Sequence, residues 1–94
     1  MNPAKVDRAH LIQLTDLPNV GPSLAGNLRL LGYKTPHELV GADPVTLYEA
    51  LCQRAGQRHD PCVLDVFLSI TDFLAGNDPR SWWEYTKGRK SMQK

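Results

Sequence analysis

Three groups of residues in this 94-residue chain are of types and spacings that could do chemistry. The first is the stretch Leu17-Pro18-Asn19-Val20-Gly21-Pro22-Ser23-Leu24-Ala25. Pro18 biases the residue before it away from helix, and Pro22 suits the first turn of a new one. Asn19 and Gly21 are the residue types that best tolerate positive φ. The spacing therefore predicts a short turn in which the amides of Val20, Gly21, Ser23 and Leu24 point together along the axis of the following helix. Such a turn can hold a phosphate, since the N–H groups and the helix dipole both favour an anion. The Ser23 hydroxyl, Arg29 and Lys34 could add contacts that read no base. The alternative is a turn that only joins two packed helices.

The second group is Cys52, His59 and Cys62, with Asp60 beside them. Cys62 falls in the first turn of an expected helix, where amide dipoles lower a thiol pKa, and His59 is close in sequence. Asp60 opposes a thiolate, however, and both cysteines fall on apolar helical faces, where free cysteine behaves as a small hydrophobe. The spacing Cys-x6-His-x2-Cys matches none of the common zinc patterns, so burial is favoured over a metal site, a thiol enzyme or a redox centre, and no metal or cofactor is assigned. The third group is Trp82, Trp83 and Tyr85. These could stack on bases, but aromatic residues beyond the last helix more often close a small core or an oligomer contact.

The elements that must position these groups are all helical. A first helix is expected from near Asp7 to Thr15, with Leu11, Ile12 and Leu14 inward, stopping before Leu17-Pro18. A second runs from Pro22 to about Leu31 and is capped by a left-handed Gly32. A short third helix opens at Thr35-Pro36 and ends at Gly41. Asp43-Pro44 and Asp60-Pro61 each supply a capping carboxylate followed by a preset φ, so a fourth helix should span Pro44 to about Ala55 and a fifth Pro61 to Leu74. The fourth turns Leu47, Tyr48, Leu51, Cys52 and Ala55 to one face. The fifth carries Cys62, Val63, Val66, Phe67, Ile70, Phe73 and Leu74 on one side, which predicts a solvent face bearing Asp65, Ser69 and Asp72. No strand signal is present. Helices four and five outline a degenerate second hairpin, although Asp60 at its turn would repel an anion.

Composition bounds the reading. Apolar residues at 41% and charged residues at 22% are those of a folded chain, and this length makes one small domain. No window approaches the roughly 20 apolar residues of a membrane span, and the N-terminus lacks an apolar signal core, so a cytoplasmic protein is expected. Eleven basic and ten acidic residues leave a net charge of +1, little for a nucleic-acid binder. The excess lies in the C-terminal half, where Lys87, Arg89, Lys90 and Lys94 read as a disordered basic tail over 87–94, able at most to add a diffuse attraction to phosphate. Arg58 is placed where it could reach a neighbouring phosphate.

From about Arg8 to Val40 the chain resembles a helix-hairpin-helix motif, with Leu17, Pro18, Val20, Gly21, Ala25, Leu28, Gly32 and Tyr33 in register. The resemblance implies binding of DNA backbone without sequence preference. Two positions depart from the motif: Asn19 replaces the first hairpin glycine, and Ser23 stands where strong binders often carry lysine. The run Arg58-His59-Asp60-Pro61-Cys62-Val63-Leu64-Asp65-Val66-Phe67, followed by Trp82-Trp83-Glu84-Tyr85-Thr86, is similar to the small bacterial pathogenicity-locus proteins, also labelled mitomycin resistance proteins. That resemblance covers about Leu14 to Thr86 and implies association with DNA but no particular reaction. The expectation is an all-α domain over 1–86, a compact bundle of about five helices, acting on DNA phosphates as an accessory to repair or processing. The main rival is a protein-interaction or assembly module, with a protein partner or second copy.

Overall fold

The computed structural model describes the backbone of residues 6–92 and the side chains of residues 6–89, and no strand occurs among the described residues. Four α-helices form the frame: α1 (Pro22–Leu30), α2 (Pro44–Ala55), α3 (Pro61–Leu74) and α4 (Thr86–Met92). Single turns of 3-10 helix occupy Arg8–His10, Leu14–Asp16, Pro36–Leu39 and Trp82–Tyr85. Three of the four α-helices begin with proline at the first helical position, and the Asp43 and Asp60 carboxylates cap α2 and α3 by accepting from Val45 N and Cys62 N. Gly56 ends α2 in the left-handed conformation at φ 72°.

The helix expected over Asp7 to Thr15 is two separate 3-10 turns instead. Asp16 is the reason: its carboxylate accepts from the amides of Ile12 (2.9 Å) and Gln13 (2.8 Å), and Asp7 takes the amide of Ala9 at 3.0 Å. Side chains that bind nearby amides in this way compete with the helical ladder. Leu11 and Leu14 still reach the core, but Ile12 turns outward and is 74% exposed. The third helix is likewise only the 3-10 turn Pro36–Leu39, and Ala55 faces solvent at the end of α2.

The larger departure concerns α3, which lies at the centre with both faces covered. Leu64, Phe67, Ile70 and Phe73 pack into a core shared with Leu14, Leu17, Leu28, Leu39, Leu47 and Leu51. The polar side expected to face water is covered as well: Asp65 and Ser69 are fully buried. Asp65 accepts from Thr86 Oγ1 and from Arg89 Nε, both at 2.8 Å. Ser69 Oγ accepts from Asn19 Nδ2 at 3.0 Å and donates to the Val66 carbonyl. Asp72 accepts from Tyr85 Oη and from Asn77 Nδ2, both at 2.6 Å. Burial, and then this bond to Asp72, push the Tyr85 phenol well above its ordinary range. Spaced i, i+4, i+7, the three side chains form one stripe along α3.

The C-terminal segment therefore folds back on α3. Residues 87–92, expected as part of a disordered tail, continue α4, and Arg89, half-buried, is the partner of the fully buried Asp65 rather than a mobile cation; residues 93–94 lie outside the described residues. At the opposite end Arg8 closes α3, donating from its two terminal nitrogens to the Phe73 and Asn77 carbonyls (2.6 Å each) with its guanidinium 4.0 Å over the Phe73 ring.

A buried ion pair is costly to break from one side, because the remaining charge loses its partner without regaining water. Asp65→Ala should lower unfolding free energy by about 3 kcal/mol in urea denaturation. Released α4 should also become the first segment cut in limited proteolysis.

Candidate functional site

The turn before α1 is held from inside. Leu17, Pro18 and Val20 are buried, so three apolar side chains anchor its backbone from beneath. Asn19 adopts the left-handed conformation at φ 65°, and its side-chain amide donates to Ser69 Oγ and, at 2.8 Å, to the Arg80 carbonyl. Asparagine tolerates this region better than other residues with a β-carbon. Gly21 does not share it: φ −93° and ψ −179° are ordinary extended values, and a β-carbon there would meet nothing within 4 Å. Of the two residues expected to tolerate positive φ, only Asn19 adopts it.

Of the four amides expected to converge, Val20 N turns back to the Leu17 carbonyl at 3.4 Å. Among the described residues, the amides of Gly21, Ser23 and Leu24 have no protein acceptor, the first helical bond being Ala25 N to the Gly21 carbonyl at 3.0 Å. Gly21 and Ser23 are exposed and Leu24 is half-buried. These three groups form the positive end of α1. Arg29, in the last turn, is exposed; six residues beyond Ser23, it stands roughly 9 Å further along the axis. Lys34 is exposed in the following loop, where its amide donates to Glu38. Both cations are thus displaced from the three amides.

A groove of about 510 Å³ opens beside this turn. One wall is Asn19, Gly21, Ser23, Leu24 and Asn27; the other is His59 with Cys62, Val63 and Val66 of α3, and Trp82 completes it. The turn, His59 with Cys62, and Trp82, members of three groups that the sequence keeps apart, thus meet at one depression. Val63 and Val66 were expected only on the apolar face of α3 and Ser69, the partner that fixes Asn19, on its solvent face, and Asn27 was not singled out from sequence. The only sequence signal for Ser69 is the polar stripe on α3, which reads equally well as a wet face.

Cys52, His59 and Cys62 do not share one geometry. Cys52 is buried in α2, where its Sγ accepts from the His59 amide at 3.2 Å, whereas Cys62 lies on the groove wall. The Tyr48 hydroxyl donates to the His59 carbonyl, pinning the connector from the other side. Among the described residues no three metal-ligating side chains converge. The Cys62 thiol is pushed up from its ordinary value by its hydrogen bond with Asp60, then by burial and the Asp60 and Asp65 charges. His59 Nε2 is buried and has no partner among the described residues. Leaving such a nitrogen unsatisfied costs about 1–3 kcal/mol.

In comparison with known proteins, the pathogenicity-locus family matches residues 7–91. Mitomycin resistance protein McrB of Streptomyces lavendulae is 43% identical over 79 residues, which span 84% of this chain and 75% of the relative. No solved structure matches the chain. No helix among the described residues is long and apolar enough to cross a membrane.

Two measurements test this geometry. Asn19→Gly keeps the left-handed turn but loses the two bonds of the side-chain amide, and should cost about 1–3 kcal/mol in urea denaturation. Asn19→Ala adds the strain of a β-carbon at positive φ and should cost about 1 kcal/mol more. For Cys62, the rate of iodoacetamide alkylation followed against pH should rise with an apparent pKa above that of an ordinary cysteine thiol, because the nearby carboxylates oppose the thiolate.

Proposed function

The chain belongs to the pathogenicity-locus family, and from that premise together with the exposed turn we propose that it binds the DNA backbone without sequence preference, as an accessory to DNA repair or processing. On this reading Leu14 to Leu30 is a helix-hairpin-helix variant whose first helix is reduced to 3-10 turns. One phosphate sits on the amides of Gly21, Ser23 and Leu24, with the Ser23 hydroxyl beside them. Arg29 and Lys34 meet phosphates further along the same strand. Binding is weak, because dipoles rather than side-chain cations face the first phosphate and the whole chain carries a net charge of only +1.

The observation that carries this reading is Gly21. Neither its backbone angles nor its surroundings within the molecule require glycine. What glycine provides there is an unobstructed approach to main-chain N–H groups from outside, which is what a phosphate oxygen needs. Asn19, by contrast, is held for internal reasons and need not touch the ligand.

The rival reading, an assembly module, draws on Ile12, Leu30, Val40 and Trp83, large apolar side chains left exposed at 57–74%. A thiol enzyme is the least supported, since a thiolate at Cys62 is disfavoured. Resistance to mitomycin, the property in the relative's name, is a phenotype to score in a strain deleted for this protein.

Fluorescence anisotropy with a labelled oligonucleotide decides between the first two. Binding should weaken with salt at a slope of roughly −0.9 per phosphate neutralised, hence about −2 if Arg29 and Lys34 are both engaged. Gly21→Ala should change stability by no more than about 1 kcal/mol, because the poorer N-cap offsets the gain from a less flexible unfolded chain, while weakening binding severalfold. Absence of binding at low salt favours the assembly reading.

A further inference from the structure

The amides of the turn account for one phosphate, but not for the groove behind them. Its lining includes no lysine, arginine or carboxylate. A second phosphate would find no countercharge there, and a cationic group would find no carboxylate. Leu24, Val63, Val66 and the Trp82 indole give it an apolar, partly aromatic surface, while Asn27 and His59 supply polar atoms. His59 Nε2 is the one buried side-chain nitrogen or oxygen without a partner among the described residues. That nitrogen has essentially no exposed surface, so it is not offered to a ligand in the groove. At about 510 Å³ the groove falls within the size range of small-ligand sites.

We propose that this groove receives an unpaired base of single-stranded DNA, stacked on Trp82 with its polar edge beside Asn27, while the adjoining phosphate rests on the amides of Gly21, Ser23 and Leu24. The assignment rests on the phosphate-binding reading above and extends it from backbone to strand type. Gly21, Ser23 and Leu24 border both the phosphate position and the groove, so one nucleotide can occupy the two together. In duplex DNA the base is held in its stack and cannot enter. Stacking on an aromatic side chain tolerates any base, so the site selects single strands without reading sequence.

Trp82 is the reporter, since the chain has only two tryptophans and Trp83→Phe leaves the groove residue as the only one. In that background, titration with a short oligothymidylate should quench the indole emission. Anisotropy should give a preference for this strand over its duplex of about tenfold. Trp82→Ala should abolish the preference and leave duplex affinity unchanged. Should that variant unfold, Cys62→Phe, which fills the groove from α3, should have the same effect with Trp82 intact. Equal affinity for single and double strands without quenching overturns the groove assignment. If Gly21→Ala still weakens that binding, the phosphate site survives. Quenching by thymidine monophosphate alone, with no gain from a longer strand, also overturns the strand proposal. Failure of every nucleic acid to bind at low salt removes both readings.

Discussion

The stripe Asp65, Ser69 and Asp72 on α3 is the constraint on which the rest of this small protein depends. A polar group taken out of water must find a partner or lose stability, and a carboxylate most of all. All three find partners outside α3: Arg89 and Thr86 for Asp65, Asn19 for Ser69, Tyr85 and Asn77 for Asp72. The apolar side of the same helix holds the bulk of the core. A single helix thus organises one face by hydrophobic burial, which is strong but non-directional, and the other by hydrogen bonds, which are weaker but fix geometry.

That division explains how the turn before α1 is kept in shape. Leu17, Pro18 and Val20 supply the burial, yet burial alone would allow the turn to shift or rotate. The bonds from Asn19 to Ser69 and to the Arg80 carbonyl tie it both to α3 and to the segment that leads into Trp82. The amides of Gly21, Ser23 and Leu24 are left without acceptors because no turn of helix precedes them to supply carbonyls. On the proposed reading, affinity for phosphate comes from preorganised dipoles and not from accumulated positive charge, which agrees with a nearly neutral chain. The groove beside the turn is bordered by the same anchored segments, so its shape and the turn's shape are set together.

Much of the local structure is legible in the residues. Proline at the first helical position, the aspartates before two of those prolines, and Gly32 and Gly56 mark the ends of α1, α2 and α3 closely, because caps act over one turn and need no distant partner. The Asp7 to Thr15 segment was less legible. Its apolar spacing suits a helix, but Asp16 captures the amides of Ile12 and Gln13, and that local competition outweighs periodicity over so short a stretch. The face bearing Asp65 and Ser69 was misread for the opposite reason. Polar residues opposite an apolar stripe ordinarily meet water, and only the packing of the Asn19 turn on Ser69 and the return of the chain twenty residues later on Asp65 turn them inward.

By itself, then, the sequence determined where α1, α2 and α3 start and stop, and that Asn19 can turn the chain through the left-handed region. Such properties follow from φ preferences, caps and periodicity, all of which act between near neighbours. Only the tertiary structure decided that the C-terminal segment packs on α3, that Arg89 is a partner of Asp65, and that the turn, His59, Cys62 and Trp82 border one groove. Those relations join residues far apart in the chain, and they follow from which buried polar group each folded-back segment satisfies.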